Sequence, residues 1–175
     1  YFISDGQPNQ PSGSAGIDAT EQAAWESFLD TNNIVAHALG AGSGVVGVAA
    51  ARLGAASVTA AEVDDDAVAA ITLNAEANGA HIEILHADIL DMAPPPVDVV
   101  LVGDFFYDRD VARRATDFLL RCRQSGADVL IGDPGRAFLP IDQLVRVAEY
   151  PARDFGESGA GEGRAQVFSF RPRSV

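Results

Sequence analysis

Short apolar runs separated by stretches of helical period set the pattern of this chain. Ile34 to Leu39 is a strand-like run stopped by Gly40. Ser57 to Val63, Ile82 to Leu85, Val97 to Val102 and Val129 to Ile131 are further runs of this kind, with Asp98 an intruding charge, and Gln166 to Arg171 reads as a last one. Between them, Val45 to Leu53 is Ala-rich and helical. Asp64, Asp65 and Asp66 open a helix that ends at a C-cap signal near Asn78-Gly79. Asp110 to Arg123 sets Val111, Ala115, Phe118 and Leu119 on one helical stripe, and Leu139 to Val147 is predicted to form another helix. Upstream, Asp18 and Glu21 have the spacing of a capping box and predict a helix through Trp25 and Leu29. Apolar strands alternating with helices predict an α/β fold whose parallel sheet is buried on both faces. Ligands of such sheets bind beyond the carboxyl ends of the strands.

Residues 1–16 are rich in Pro, Gly, Ser and Asn and read as a loose arm, and residues 17–175 read as one domain. A second Gly-rich loop is expected from Gly156 to Gly163, and Pro94-Pro95-Pro96 punctuates the middle. A length of 175 residues suits a single core, and a 47% apolar fraction excludes a mostly disordered chain. All 12 basic residues are Arg, against 25 acids, for a net charge of -13. That sign disfavours duplex nucleic acid or an anionic membrane as partner and suits a basic surface. Cys122 stands alone, which excludes an internal disulfide framework and a cysteine-based zinc site. With no basic-then-apolar leader pattern and one thiol, a cytoplasmic setting is expected.

The first chemical signal is Gly40-Ala41-Gly42-Ser43-Gly44, between the first strand and its helix. Glycines there let a ligand approach the backbone, and the helix start offers free N–H groups. Glu62 ends the next strand, 20 residues after Gly42. An acid at that place can accept hydrogen bonds from both ribose hydroxyls of a nucleoside cofactor. Gly42 to Gly47 also satisfies GxGxxG, so the turn by itself leaves NAD and S-adenosylmethionine both open.

The stretch LGAGSGVVGVAAARLGAASVTAAEVDDDAVAAITLNAEANG resembles the first third of a class I methyltransferase. HADIL resembles the adenine-contacting segment of those enzymes, and VDVVLVGDFFYDRDVA their fourth-strand motif. Asp104-Phe105-Phe106-Tyr107 matches the D-x-x-Y pattern of the seven-β-strand lysine methyltransferases. GDPGR after the fifth strand is similar to the family of the electron-transfer flavoprotein β-subunit lysine methyltransferases, whose relatives include nicotinamide N-methyltransferase-like proteins. The resemblance implies a Rossmann-like, doubly wound, mostly parallel seven-stranded sheet with helices on both faces. It implies S-adenosylmethionine as cofactor, held by the turn Gly40, Ala41, Gly42, Ser43 and Gly44, by Glu62 and Val63, by Asp88 and Ile89, and by Gly103. It implies Asp104 and Tyr107 as the catalytic pair, with Asp104 where the methionine part of the cofactor meets the substrate amine. The partner would be a protein with an accessible lysine, or a small amine. Two features depart from the family: Ala38 stands where an acid is usual, and the family's upstream Trp-Pro-Gly-Gly is absent, Trp25 lying in another context.

Blander roles are available for several of these residues. Asp64 to Asp66 suit helix capping, Asp88 a turn cap, and Asp133 with Arg136 a local turn and ion pair. Alternation predicts one of Phe105 and Phe106 in the core and the other at the cleft. His37, His81 and His86 lack metal-ligand spacing, and Cys122 reads as a buried small hydrophobe. An NAD oxidoreductase would leave Asp104 to Tyr107 and GDPGR without a role, and a non-catalytic module would account for Ala38.

Overall fold

Central strand β1 (Val35–Leu39) pairs in parallel with β2 (Ser57–Glu62) on one side and β4 (Val99–Gly103) on the other. The computed structural model describes residues 34–39, 42–153 and 162–172. Strand β3 (Glu83–His86) lies outside β2, and β5 (Asp128–Asp133) outside β4. β7 (Glu162–Phe170) pairs antiparallel with β5, and β6 (Leu144–Arg153) antiparallel with β7. The sheet thus has seven strands in the order β3-β2-β1-β4-β5-β7-β6, mostly parallel. The chain leaves β1 toward β2 and β3, then crosses to β4, so the order reverses at the β1/β4 boundary.

Both faces are covered. Helix α1 (Val45–Arg52) and helix α2 (Asp65–Ala77) pack on the face that carries Ala36, Val58, Ala60 and Ile82. Gly47 allows the close approach of α1, because a Cβ there would stand 3.2 Å from Ile82 Cδ1. Helix α3 (Arg109–Gln124) covers the other face, where Phe118, Leu119 and Cys122 meet Val100, Val102, Val129 and Ile131. Phe118 is fully buried, which contributes about 3 kcal/mol at most from apolar area alone. Asp98, the charge within an apolar run, accepts from the Val35 N–H at 2.8 Å, and its own N–H donates to Val35 O at 3.0 Å, stitching the starts of β1 and β4 together. Cys122 is buried as expected, and burial pushes its thiol up to about 11.

The expected helix from Leu139 to Val147 does not form. Pro140 leads into a single 3-10 turn (Ile141–Gln143), and Leu144 begins β6. Val145 and Val147 are β-branched and suit extended backbone. Pairing with β7, and the Arg171 Nε bond to Leu144 O at 2.9 Å, decide the local choice. Glu162 and Gly163, expected in a Gly-rich loop, belong to β7, and residues 156–161 lie outside the described residues. The N-terminal arm and the helix opened by Asp18 lie outside the described residues. Among the described residues no helix is long and apolar enough to cross a membrane, and no His, Cys, Asp and Glu group could hold a metal ion.

His37 sits in β1 at 3% exposure, and its Nε2 has no hydrogen-bond partner among the described residues. Desolvation holds its imidazole below the ordinary 6.5, with Glu83 across the sheet opposing in part. The fold therefore favours the neutral ring, while the unfolded chain takes up a proton more readily. This contribution is complete above the unfolded value and declines as pH falls below it toward the depressed folded value. Urea unfolding from pH 8 to pH 5 should show stability falling toward acid, and His37→Leu should flatten that slope. Equal slopes in the two proteins would acquit His37.

Candidate active site

Strand register brings the predicted residues to one rim. Leu39 is level with Ala61 of β2 and with Val102 of β4, and Gly103 is level with Gly132 of β5. The next positions along these strands are Glu62, Asp104 and Asp133. Glu62 and Asp104 stand two strand spacings apart, about 10 Å, over the same carboxyl ends. The rim lies at the strand-order reversal, where open α/β sheets bind ligands.

The glycine turn is held from two sides. Gly42 has φ +48°, and its N–H donates to Glu62 Oε2 at 3.0 Å. The other oxygen of Glu62 accepts from the N–H groups of Val63 at 2.7 Å and Asp64 at 3.2 Å. Asn74 of α2 donates through Nδ2 to Ser43 O at 2.7 Å. Gly44 is the N-cap of α1 at φ +80°, and a Cβ on it would stand 3.1 Å from the Cα of Ile71. Gly40 and Ala41 lie outside the described residues. Ala38 is fully buried in β1, level with Ala60 and Leu101.

The loop after β3 hangs from α3. Asp88 Oδ1 accepts from Leu90 N–H at 3.0 Å, and Oδ2 accepts from Arg114 at 2.9 Å. Arg114 also reaches Asp91 at 2.5 Å, while Arg121 donates to Leu90 O at 2.6 Å. Partial desolvation alone would raise the Asp88 carboxyl, but the Leu90 N–H and Arg114 outweigh it and hold it below its ordinary value. Asp88 is thus a turn cap and an ion-pair partner, on the rim side of the loop. Ile89 places its side chain in the core. Val63 is exposed, and its carbonyl lies 3.1 Å from His86 Nε2.

The segment after β4 is the most constrained. A Cβ on Gly103 would stand 3.0 Å from Val46 Cγ2, so glycine lets α1 sit against the strand end. Asp104 has φ +47°, the one left-handed non-glycine among the described residues, and its N–H donates to Gly132 O at 2.9 Å. Such a conformation in a non-glycine residue carries strain and clusters at functional sites. Arg136 grips its carboxylate in a fork, Nε to Oδ1 at 2.5 Å and Nη2 to Oδ2 at 2.7 Å. Phe106 is wholly buried, Phe105 half-buried and Tyr107 65% exposed, with the Phe105 and Tyr107 rings edge-on at 6.5 Å. Asp133 is fully buried, and its Oδ1 accepts from the N–H groups of Gly135 and Arg136, each at 2.7 Å. Its Oδ2 has no partner among the described residues, and burial raises its carboxyl despite those two N–H groups. The local turn expected of GDPGR is present, but the guanidinium of Arg136 pairs with Asp104 and not with Asp133. Asn74, Arg114 and Arg121 support the rim without having been singled out in the sequence. No motif marks them; only their partners in the folded chain do.

This donor and acceptor set suits a nucleoside. Glu62 presents an oriented carboxylate at a glycine turn, and Asp104 presents a second one at the switch point. Comparisons with known proteins bear on the fold and the family resemblance. The family model of the ribosomal protein L11 methyltransferase (PrmA) matches residues 19–103. Ribosomal protein L11 methylase from Lactobacillus delbrueckii subsp. bulgaricus has the same fold, with TM-score 0.55 and 19% identity over 87% of this chain and 79% of that one. Thermoplasma acidophilum 1320 superposes with TM-score 0.59 and 20% identity over 90% of this chain and 91% of that one. By its fold and these matches the chain is similar to the class I S-adenosylmethionine-dependent methyltransferases. It is similar in sequence to electron transfer flavoprotein beta subunit lysine methyltransferases. The Rattus norvegicus protein is 40% identical over 163 residues, 89% of this chain and 61% of its own length. The Homo sapiens protein is 41% identical over 163 residues, 89% of this chain and 59% of its own. The chain spans about three fifths of the length of these curated relatives.

Gly44→Ala should cost about 2–4 kcal/mol, because it adds a clash with the Ile71 backbone to the left-handed penalty. Gly42→Ala meets open space and should cost only about 1–2 kcal/mol. Urea denaturation of both variants checks the order, and a reversed order would refute the packing argument.

Proposed function

We propose that this chain binds S-adenosylmethionine across the rim and N-methylates a lysine of a protein substrate of the electron transfer flavoprotein beta subunit type. The observation that carries the reading is the pairing of Glu62 and Asp104 on one rim, with Asp104 held in a left-handed conformation at the switch point. The similarity to the lysine methyltransferases over 89% of the chain supports the substrate class. In this reading Glu62 takes the ribose hydroxyls, the glycine turn accommodates the methionine part, and the loop of Asp88 and Ile89 flanks the adenine. Val63 and Gly103 line the floor between them.

The bound cofactor supplies a methyl group on a sulfonium, which is already a good leaving group, so the protein acts mainly by alignment. A lysine ammonium, at an ordinary value of about 10.4, has no lone pair and must lose its proton first. Phe105 and Tyr107 offer apolar surface where partial desolvation favours the neutral amine. Asp104 accepts a hydrogen bond from that amine and orients it. The openness of the site, with Tyr107 at 65% exposure, favours a protein-borne lysine over a small amine enclosed in a pocket.

Calorimetric titration with S-adenosylhomocysteine and with NAD tests the cofactor, and transfer of labelled methyl to electron transfer flavoprotein tests the substrate. Binding of NAD alone would overturn the reading. Glu62→Ala should weaken S-adenosylhomocysteine binding at least tenfold; an unchanged dissociation constant would remove it from the ribose. Asp104→Ala should reduce methyl transfer far more than it reduces cofactor affinity. An equal fall in both would place Asp104 on the cofactor and not on the amine.

A further inference from the structure

A carboxylate next to an amine has an unwanted effect in this chemistry. It stabilises the ammonium and raises its pKa, yet the ammonium cannot attack. The rim holds an answer. Arg136 covers both oxygens of Asp104 in a bidentate fork, at 2.5 and 2.7 Å. The fork is not an accident of a loose side chain. The backbone N–H of Arg136 is fixed at 2.7 Å on Asp133, a carboxylate buried at the end of β5, and Gly135 at φ +103° shapes the turn between them. On the other side, the Asp104 N–H is tied to Gly132 O, so both partners are anchored on the same strand end.

We propose that Arg136 is a positioning residue for the substrate amine: clamped on both oxygens of Asp104, it fixes that carboxylate and compensates its charge, so that Asp104 receives the amine by a hydrogen bond without retaining its proton. This rests on the N-methylation reading above. An ionised carboxylate has about four lone-pair sites, and a fork takes two, so acceptor capacity remains on Asp104. The guanidinium is permanently positive and repels a second cation at the same carboxylate. The lysine proton goes to water. The freed nitrogen pair then forms the new N–C bond as the C–S bond breaks and its electrons stay on sulfur. Asp133 on β5 interacts electrostatically with Asp104, and Tyr107, Asp108 and Arg109 follow on its own segment. From α1 the neighbouring side chain is the uncharged Val46, packed on Gly103. Arg109 lies over the Phe138 ring at 5.4 Å, and Asp108 caps α3, so neither replaces Arg136 at the carboxylate.

The test is Arg136→Gln in the full chain, read in two ways. In the first, methyl transfer to electron transfer flavoprotein is followed from pH 7 to pH 10. The rising limb of kcat, which reports the bound amine, should move up by about one pH unit, with kcat at pH 8 down roughly tenfold and KM for the protein not raised. In the second, n-butylamine binding is followed by NMR from pH 8 to pH 10.5 with S-adenosylhomocysteine present. Affinity should rise with pH for the wild type and fall with pH for the variant, which would hold the ammonium. An unmoved pH limb in an active pair overturns the proposal. So does the same pH dependence of n-butylamine affinity in both proteins, or no n-butylamine binding to the wild type at any pH. If the wild type transfers no methyl group to electron transfer flavoprotein, the methylation reading fails, and the n-butylamine titration still decides the role of the clamp.

Discussion

The level alignment of Leu39 with Ala61 and Val102 is the constraint on which the site depends. Parallel pairing at that register ends three strands together, and each chain must turn away at the same height. The turns are therefore forced into one shallow band. Glycine at positions 42, 44 and 103 allows the turns and α1 to crowd there, while the carboxylate at 62 is held by the turn's backbone N–H groups and that at 104 by Arg136. A slip of one residue in β2 or β4 would turn the side chains to the opposite face of the sheet and dissolve the band.

Carboxylates gathered in this way repel one another, in a chain already carrying a net charge of -13. The fold meets this with arginines from α3 and from the turn after β5. Arg114 of α3 bridges Asp88 and Asp91, and Arg136 grips Asp104. Glu62 is handled differently, by backbone N–H groups of Gly42, Val63 and Asp64. Guanidinium partners leave a carboxylate ion-paired, whereas N–H partners leave its full charge available to a hydroxyl-bearing ligand. That division matches the two jobs assigned along the rim, sugar recognition at one end and amine handling at the other.

Much of this was legible in the chain itself. The central strands β1 and β4 are nearly continuous apolar runs, as expected of strands buried on both faces, whereas β3 (Glu83–His86) is an exposed edge; the turn GAGSG with an acid 20 residues on announced the rim. The resemblance around Asp104 and GDPGR is the basis on which a substrate end is proposed there. What escaped was set by tertiary pairing. Leu139 to Val147 has apolar residues at spacings compatible with a helix, and only the partnership with β7 makes Leu144 onward a strand. The destination of Arg136 was also hidden, since Asp133 is near in sequence but Asp104 is near in space, 32 residues away. Asp98 looked like an intrusion in a strand and is instead the bond between two strand starts.

The choice of arginine over lysine at position 136 has a consequence for chemical self-protection. On the proposed reading, a residue 2.5 Å from Asp104 stands beside an alkylating agent whenever the donor is bound. A lysine there would offer its own nucleophile, and the catalyst would modify itself in place of its client. The guanidinium never surrenders its proton at working pH and delocalises its electron pairs, so it can stand at the point of transfer indefinitely and remain a bystander.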